Sequence, residues 1–213
     1  MKTLVVAATE LEISASIPAL IESQTDYLVT GVGMVATAFT LGQYLSNRSY
    51  DLLVNVGIAG TFNQYHKLGS ILKVKTDRLY EFGAENEQDF ISIDSLGFGN
   101  SVYVEALPEQ PLPGIFYDIP YIDAITVNKV HGAEESVGKI KQEYGLNLLE
   151  SMEGAAFFYV GNRMRIPCVQ VRSISNLVEP RNVDNWNIPL ALSELNSWLE
   201  SFLRNLTESK SAL

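Results

Sequence analysis

Two histidines, one cysteine and fifteen basic residues are all that 213 positions hold of those types, and each shortage excludes something. A single cysteine forms no internal disulfide. Cys168 lies in the largely apolar run from Ile166 to Val171 and reads as a small core residue. Against fifteen Lys and Arg stand twenty-five Asp and Glu, a net charge of −10. Affinity for phosphate backbones and anionic lipid depends on basic residues displacing counterions, so nucleic-acid polymers and membrane surfaces are not expected partners. No apolar run reaches the roughly 20 residues that span a bilayer. The start, one lysine and a short apolar run leading into Glu10 and Glu12, does not read as a signal peptide. A reducing cytoplasm is the expected setting, and neither a metal nor a cofactor is expected. Internal repeats, heptads and low-complexity segments are absent.

What is present is enough apolar residue for one core, 46% of the chain, and a chain too short to require two domains. Short apolar runs alternate with amphipathic ones, which predicts strands alternating with helices. Strands are expected at Thr3–Ala8, Tyr27–Thr30, Leu52–Val56, Ile122–Val127, Asn147–Met152 and Cys168–Ile174. Helices are expected at Glu12–Ser23, Met34–Ser46, Glu134–Tyr144, Glu153–Met164 and Ile188–Leu206, the first of them challenged by Pro18. In the second helix Val35, Phe39, Leu41 and Leu45 are available for a core face. Residues 70–104 suggest antiparallel strands and hairpins. The stretch 106–121 holds Pro108, Pro111, Pro113 and Pro120, half of the eight prolines, and reads as an irregular loop. One α/β domain over residues 1–206 with a frayed tail at 207–213 is the expected organisation.

Three segments could carry chemistry. Gly31-Val-Gly-Met-Val-Ala36 formally matches a dinucleotide-binding glycine pattern. It follows the second strand, however, and Asp51 precedes the next strand where a ribose-binding acid should follow it. A tight turn and a nucleoside-site loop are the remaining readings. Asn55-Val-Gly-Ile-Ala-Gly60 places glycines at a strand end with Ile58 between them, and no Lys or Arg lies between Arg48 and Lys67. Either a plain turn or a close backbone approach to a ligand fits, with no evident cation for phosphate. The third segment is Glu150-Ser-Met-Glu-Gly-Ala-Ala156, followed by Arg172-Ser-Ile-Ser-Asn176.

This third segment resembles the ribose-binding motif of purine nucleoside phosphorylases and of methylthioadenosine/S-adenosylhomocysteine nucleosidases. The resemblance extends to the first strand with Glu12, to both glycine segments and to the last strand, so it spans nearly the whole chain. It implies a single-domain three-layer sandwich, a central mixed β-sheet flanked by helices. It further implies that Met152 packs beneath the sugar, that Glu153 accepts from its hydroxyls, and that Ile58, Val127 and Asn128 border the substrate. Glu12 would activate water against the anomeric carbon, and Asn176 would face N7 and the C6 substituent of a purine. Each has a plainer reading: a dipole-complementing acid for Glu12 and Glu153, a core residue for Met152, a turn residue for Asn176. His131 and His66 read as surface or loop histidines, although His131 falls in the loop that faces the base in relatives.

Residue 176 separates substrates. Adenine-cleaving relatives carry aspartic acid here; an Asn amide offers its carbonyl to a protonated N7 and its NH2 to a 6-oxo group, which suits hypoxanthine or guanine. Absence of arginine and hydroxyl from the glycine segments favours water over phosphate as nucleophile. The run Ser175-Asn-Leu-Val-Glu-Pro-Arg-Asn-Val-Asp-Asn-Trp186 resembles futalosine hydrolases, with Glu179 and Asn182 departing from their pattern. That resemblance implies futalosine, a hypoxanthine nucleoside of menaquinone biosynthesis with a 5′-linked aryl acid, as substrate, with Arg181 available for its carboxylate. Phosphorolysis of inosine or guanosine, hydrolysis of methylthioadenosine, and a sensor that binds a nucleoside without turnover stand as alternatives. A homo-oligomer, with a dimer favoured, is expected.

Overall fold

The computed structural model describes residues 1–87 and 89–211, with side chains to Thr207. The first apolar run forms β1 (Thr3–Ala7), buried along its length. The helix expected over Glu12–Ser23 is divided into α1 (Glu10–Ile13), a 3-10 turn (Ser14–Ser16) and α2 (Ile17–Glu22). Pro18 explains the division: it has no N–H to donate and sits in the first turn of α2, where none is needed. β2 (Asp26–Val29) follows, then α3 (Met34–Leu45) and β3 (Leu52–Thr61). β1 pairs in parallel with both β2 and β3. The helices between them serve as the crossovers that parallel pairing requires.

β4 (Ile71–Leu79), the hairpin β5 (Gly83–Asn86) and β6 (Asp89–Ser92), and β7 (Val102–Val104) occupy the β-rich middle. The hairpin is antiparallel, as expected, whereas β4 pairs antiparallel with β7 but parallel with β8 (Tyr121–Thr126). Within the proline-rich stretch only α4 (Gly114–Tyr117) is helical. α5 (Glu134–Tyr144), β9 (Leu148–Ser151), α6 (Gly154–Met164), β10 (Cys168–Leu177), a 3-10 turn (Val183–Asn185) and α7 (Ile188–Ser211) complete the chain. α7 runs through residues 207–211 of the expected tail, of which residues 212 and 213 lie outside the described residues.

The sheet is mixed and helices cover it. On one side Leu41 and Leu45 of α3 and Phe157 and Phe158 of α6 pack against Leu4, Leu53 and Leu149. On the other, Leu195, Leu199, Phe202 and Leu203 of α7 pack with Ile13 and Leu20 against Val5, Val54 and Val171. Each such side chain contributes about 1.5–3 kcal/mol of burial. α3 buries only two of the four residues available for its core face, Leu41 and Leu45. Thr37, Leu41 and Leu45, spaced by four, are its buried residues, while Val35 and Phe39 on another stripe are 79% and 68% exposed. Apolar residues stand on both stripes, so periodicity alone could not choose between them.

β3 and β10 do not end where their apolar runs end. Each is ten residues long, and they pair in parallel from Cys168 with Leu53 to Leu177 with Thr61. β10 also pairs with β4, β4 with β8, β8 with β9, and β9 returns to the end of β3 through Gly60 and Glu150. One end of the sheet thus closes into a ring, with β1, β2 and β7 outside it. The glycines of the Asn55–Gly60 segment therefore lie inside a strand and not in a terminal turn.

Candidate active site

Glu12 lies in the first turn of α1, and its Oε2 accepts from the Thr9 backbone N–H at 3.0 Å and the Thr9 hydroxyl at 3.1 Å. That is the local role of an acid at a helix start. Its Oε1 leaves the helix and accepts from the Ile58 N–H of β3 at 3.1 Å, so the carboxylate joins α1 to the middle glycine segment. Glu12 is buried. Burial pushes its pKa above the ordinary carboxylate value and the neighbouring Glu153 adds to this, while Arg172 and the Ile58 and Thr9 N–H groups pull the other way.

Glu153, also buried, stands at the start of α6. Its Oε1 accepts from the Gly33 N–H at 2.9 Å and its Oε2 from Met152 N–H at 3.3 Å. The Gly31–Ala36 segment is a tight turn that needs glycine, with φ of 89° at Gly31 and 95° at Gly33. It also delivers an amide to Glu153. The two acids therefore converge from α1 and the start of α6, each held by a backbone N–H from a different glycine segment.

The cation the glycine segments seemed to lack comes from β10. A Cβ on Gly57 would stand 2.1 Å from Arg172 Nη1 and 2.7 Å from Glu12 Oε1, so glycine in mid-strand leaves room for the guanidinium beside Glu12. Arg172 is fully buried, donates from Nε to Gln170 Oε1 at 2.8 Å, and bonds Asn55 Oδ1 through Nη2. Sequence reading passed over Arg172. Its signal is the alternation Val169-Gln-Val-Arg172: the valines join the core beneath α7, leaving Gln170 and Arg172 on the opposite face of an otherwise apolar strand.

Asn176 is half-buried near the end of β10, beside a register shift. Its Oδ1 accepts from Ser175 Oγ at 2.8 Å and its Nδ2 donates to the Leu177 carbonyl at 3.1 Å. A Cβ on Gly60 would stand 3.2 Å from that Nδ2 and 2.7 Å from Val178. Met152 packs on the cluster of Phe62, Ile125, Val127 and Val178; the Val127 side chain is buried in that cluster, and Asn128 is exposed.

His131 is not a surface residue. Its side chain is 6% exposed and pairs through Nδ1 with Glu150 Oε2, while its N–H donates to Glu150 Oε1 at 2.9 Å. The loop after β8 is thereby clamped to β9. Arg181 is exposed, with its guanidinium 5.1 Å from the Trp186 ring centre and its N–H donating to Gly132 O at 2.9 Å. His66 lies in the loop after β3 and bonds the Thr61 hydroxyl at 2.8 Å. Among the described residues no group of His, Cys, Asp and Glu could hold a metal ion, and no helix is long and apolar enough to cross a membrane.

No protein-family model matches the chain. Futalosine hydrolase from Streptomyces coelicolor is 29% identical over 178 residues, covering 80% of this chain and 74% of that protein. A 5′-methylthioadenosine/S-adenosylhomocysteine nucleosidase from Colwellia psychrerythraea, solved with adenine, superposes with a TM-score of 0.74 at 17% identity over 97% of this chain and 96% of its own. Futalosine hydrolase of Helicobacter pylori superposes with a TM-score of 0.70 at 14% identity over 100% and 98% of the two chains. Sequence similarity over most of the chain and a fold shared along its whole length agree: the protein is a homologue of the futalosine hydrolases within the nucleoside phosphorylase and nucleosidase superfamily.

Proposed function

We propose that the protein is an N-glycosyl hydrolase that releases hypoxanthine from futalosine, a cytoplasmic step of menaquinone biosynthesis. The observation that carries this reading is the meeting of two buried acids, Glu12 held by Ile58 N–H and Glu153 held by Gly33 N–H. In the reaction Glu12 takes a proton from water as its oxygen bonds to the anomeric carbon. The C–N bond electrons leave with the base, which takes a proton at N7 from solvent water while Glu12 returns its own to solvent, and the Asn176 carbonyl accepts from that N7–H. Glu153 accepts from the ribose hydroxyls above Met152. Ile58 and the loop at Val127 and Asn128 border the substrate. Arg181, on a segment bonded to that loop at Gly132, meets the 5′-linked carboxylate.

Water is favoured as nucleophile because Arg172 is already engaged. It bonds Gln170 and Asn55 and faces the carboxylates of Glu12 and Asp77, so its charge balances protein acids and leaves none for phosphate. Asn176 favours a 6-oxopurine over adenine. The exposed apolar stripe of Val32, Val35 and Phe39 adjoins Gly33, whose N–H holds Glu153, and we assign it to a homodimer interface beside the site.

The test is incubation with futalosine, inosine and methylthioadenosine, with and without phosphate, reading released base by chromatography. Hypoxanthine from futalosine, independent of phosphate, is the expected result. Phosphate-dependent release, or adenine with no hypoxanthine, would sink the reading. Glu12→Gln should lower release by at least about 100-fold and leave nucleoside binding intact. A sensor would bind and release nothing in either form.

A further inference from the structure

Behind Glu12 a row of polar side chains crosses the interior of the closed part of the sheet. Asp77 on β4 is fully buried. One of its oxygens accepts from Thr126 Oγ at 2.8 Å and the other from Gln170 Nε2 at 3.1 Å. Gln170 turns its Oε1 to Arg172 Nε at 2.8 Å, and Arg172 continues to Asn55, whose Nδ2 donates to Val6 O at 2.9 Å. At the other end Thr126 Oγ accepts from Ala155 N–H at 2.7 Å, in the first turn of α6 beside Glu153.

The direction of donation is fixed along this row. A guanidinium has only donors and an ionised carboxylate only acceptors. Gln170 therefore satisfies both in a single amide orientation, and the Thr126 hydroxyl must donate to Asp77 while accepting from Ala155. Space is fixed as well, since a Cβ on Gly154 would stand 2.0 Å from Asp77 Oδ2 and 2.3 Å from Gln170 Oε1.

We infer that Asp77 is a positioning residue for the active site, holding Arg172 beside Glu12 through Gln170 and the start of α6 beside Glu153 through Thr126. Arg172 is the charge common to both acids. Asp77 faces Arg172, the Gln170 amide, the Thr126 hydroxyl and the Arg78 N–H; Glu12 faces Arg172, Glu153 and the N–H groups of Ile58 and Thr9. Neutralising Asp77 leaves the guanidinium to act on Glu12 alone, which lowers the Glu12 pKa, and as Asn it keeps one acceptor oxygen of two, so either Gln170 or Thr126 loses its partner. The effect on turnover rests on Glu12 being the general base; the effect on Glu12 itself does not.

Two variants test this: Asp77→Asn, and the swap Asp77→Asn/Gln170→Glu. In the swap the carboxylate at 170 accepts from Arg172 and from the new amide at 77, whose oxygen accepts from Thr126, so every bond is restored. Two readouts are needed. Glu12 titration is followed by carboxyl carbon NMR, assigned by the signal lost in Glu12→Gln, and hypoxanthine release is followed against pH. Asp77→Asn should lower the Glu12 midpoint by about one pH unit and cut kcat at least ~10-fold with KM changed less than about threefold, and the swap should restore both. An unchanged midpoint in Asp77→Asn, or a folded swap variant as impaired as the single one, overturns the proposal. Should Asp77→Asn not fold, the swap decides: a wild-type midpoint supports the inference and a displaced one overturns it. If the wild-type protein releases no base from any nucleoside, the functional reading fails while the titration still judges Asp77.

Discussion

Glu12 serves a helix and a site with the same carboxylate, one oxygen on Thr9 and the other on Ile58, and residue identity matters most where such a group has no slack. Asn176 is comparable. Its amide is oriented by Ser175 and the Leu177 carbonyl, so the oxygen accepts from a hydroxyl and the nitrogen donates to a backbone oxygen. Asp at this position could not make the second bond and would present a carboxylate to the 6-oxo group of the base. A misdirected bond in a buried site costs on the order of 1–3 kcal/mol. Asn176→Asp should therefore slow hypoxanthine release by roughly tenfold or more, measured as kcat/KM with futalosine. An unchanged value would place purine specificity on other residues.

Elements position these groups through strands that outrun their apolar sequence. β3 continues through Gly57 and Gly60 because β10 pairs with it along its length, and each glycine admits a side chain from a neighbouring element: Arg172 and Glu12 at Gly57, Asn176 and Val178 at Gly60. A methyl group at 57 would require the guanidinium to move. We expect Gly57→Ala to cost about 1–3 kcal/mol of stability, the range for overpacking a tight interior, and to lower kcat at least about tenfold by shifting the charge beside Glu12. Denaturant melts and steady-state kinetics on the same preparation check both. Wild-type kinetics would mean the guanidinium position has no bearing on turnover.

Across the whole molecule, buried carboxyls give stability a pH dependence of definite sign. Burial lifts Asp77 from the ordinary 3.8 to about 6, with Gln170, Thr126 and Arg172 opposing it. Glu12 and Glu105 are raised for the same first reason. A carboxyl raised in this way holds in the folded protein a proton that the unfolded chain releases, so its contribution is fully present below the unfolded value and lost as pH rises through the folded one; for Asp77 that window runs from below 3.8 up through about 6. For Asp77 alone the span corresponds to ~3 kcal/mol. His66, lowered by burial, works in the opposite sense below its ordinary 6.5. Denaturant unfolding at pH 7.5 and 5 should show wild type gaining stability relative to Asp77→Asn at the lower pH; equal changes would refute the assignment. At the same scale, sedimentation should show a dimer that Phe39→Glu dissociates, since a charge would be buried against an apolar stripe. A wild-type monomer would remove α3 from the interface.

Much of this architecture is legible in the chain alone. Strand and helix positions follow from apolar runs and their spacing, because burial of one face is a local pattern. Pro18 marks the division of the first helix. The acids Glu12 and Glu153 stand out beside glycine-rich turns. Tertiary structure alone decided which apolar stripe of α3 faces inward, how far β3 and β10 run, and that His131 is buried on Glu150. It also brought Arg172 from β10 to a glycine more than a hundred positions earlier and set Asp77 behind it. The physical reason is common to these cases. A charge can be buried only where partners from other strands meet it, and those partners are separated in sequence by the helices that carry the chain between them.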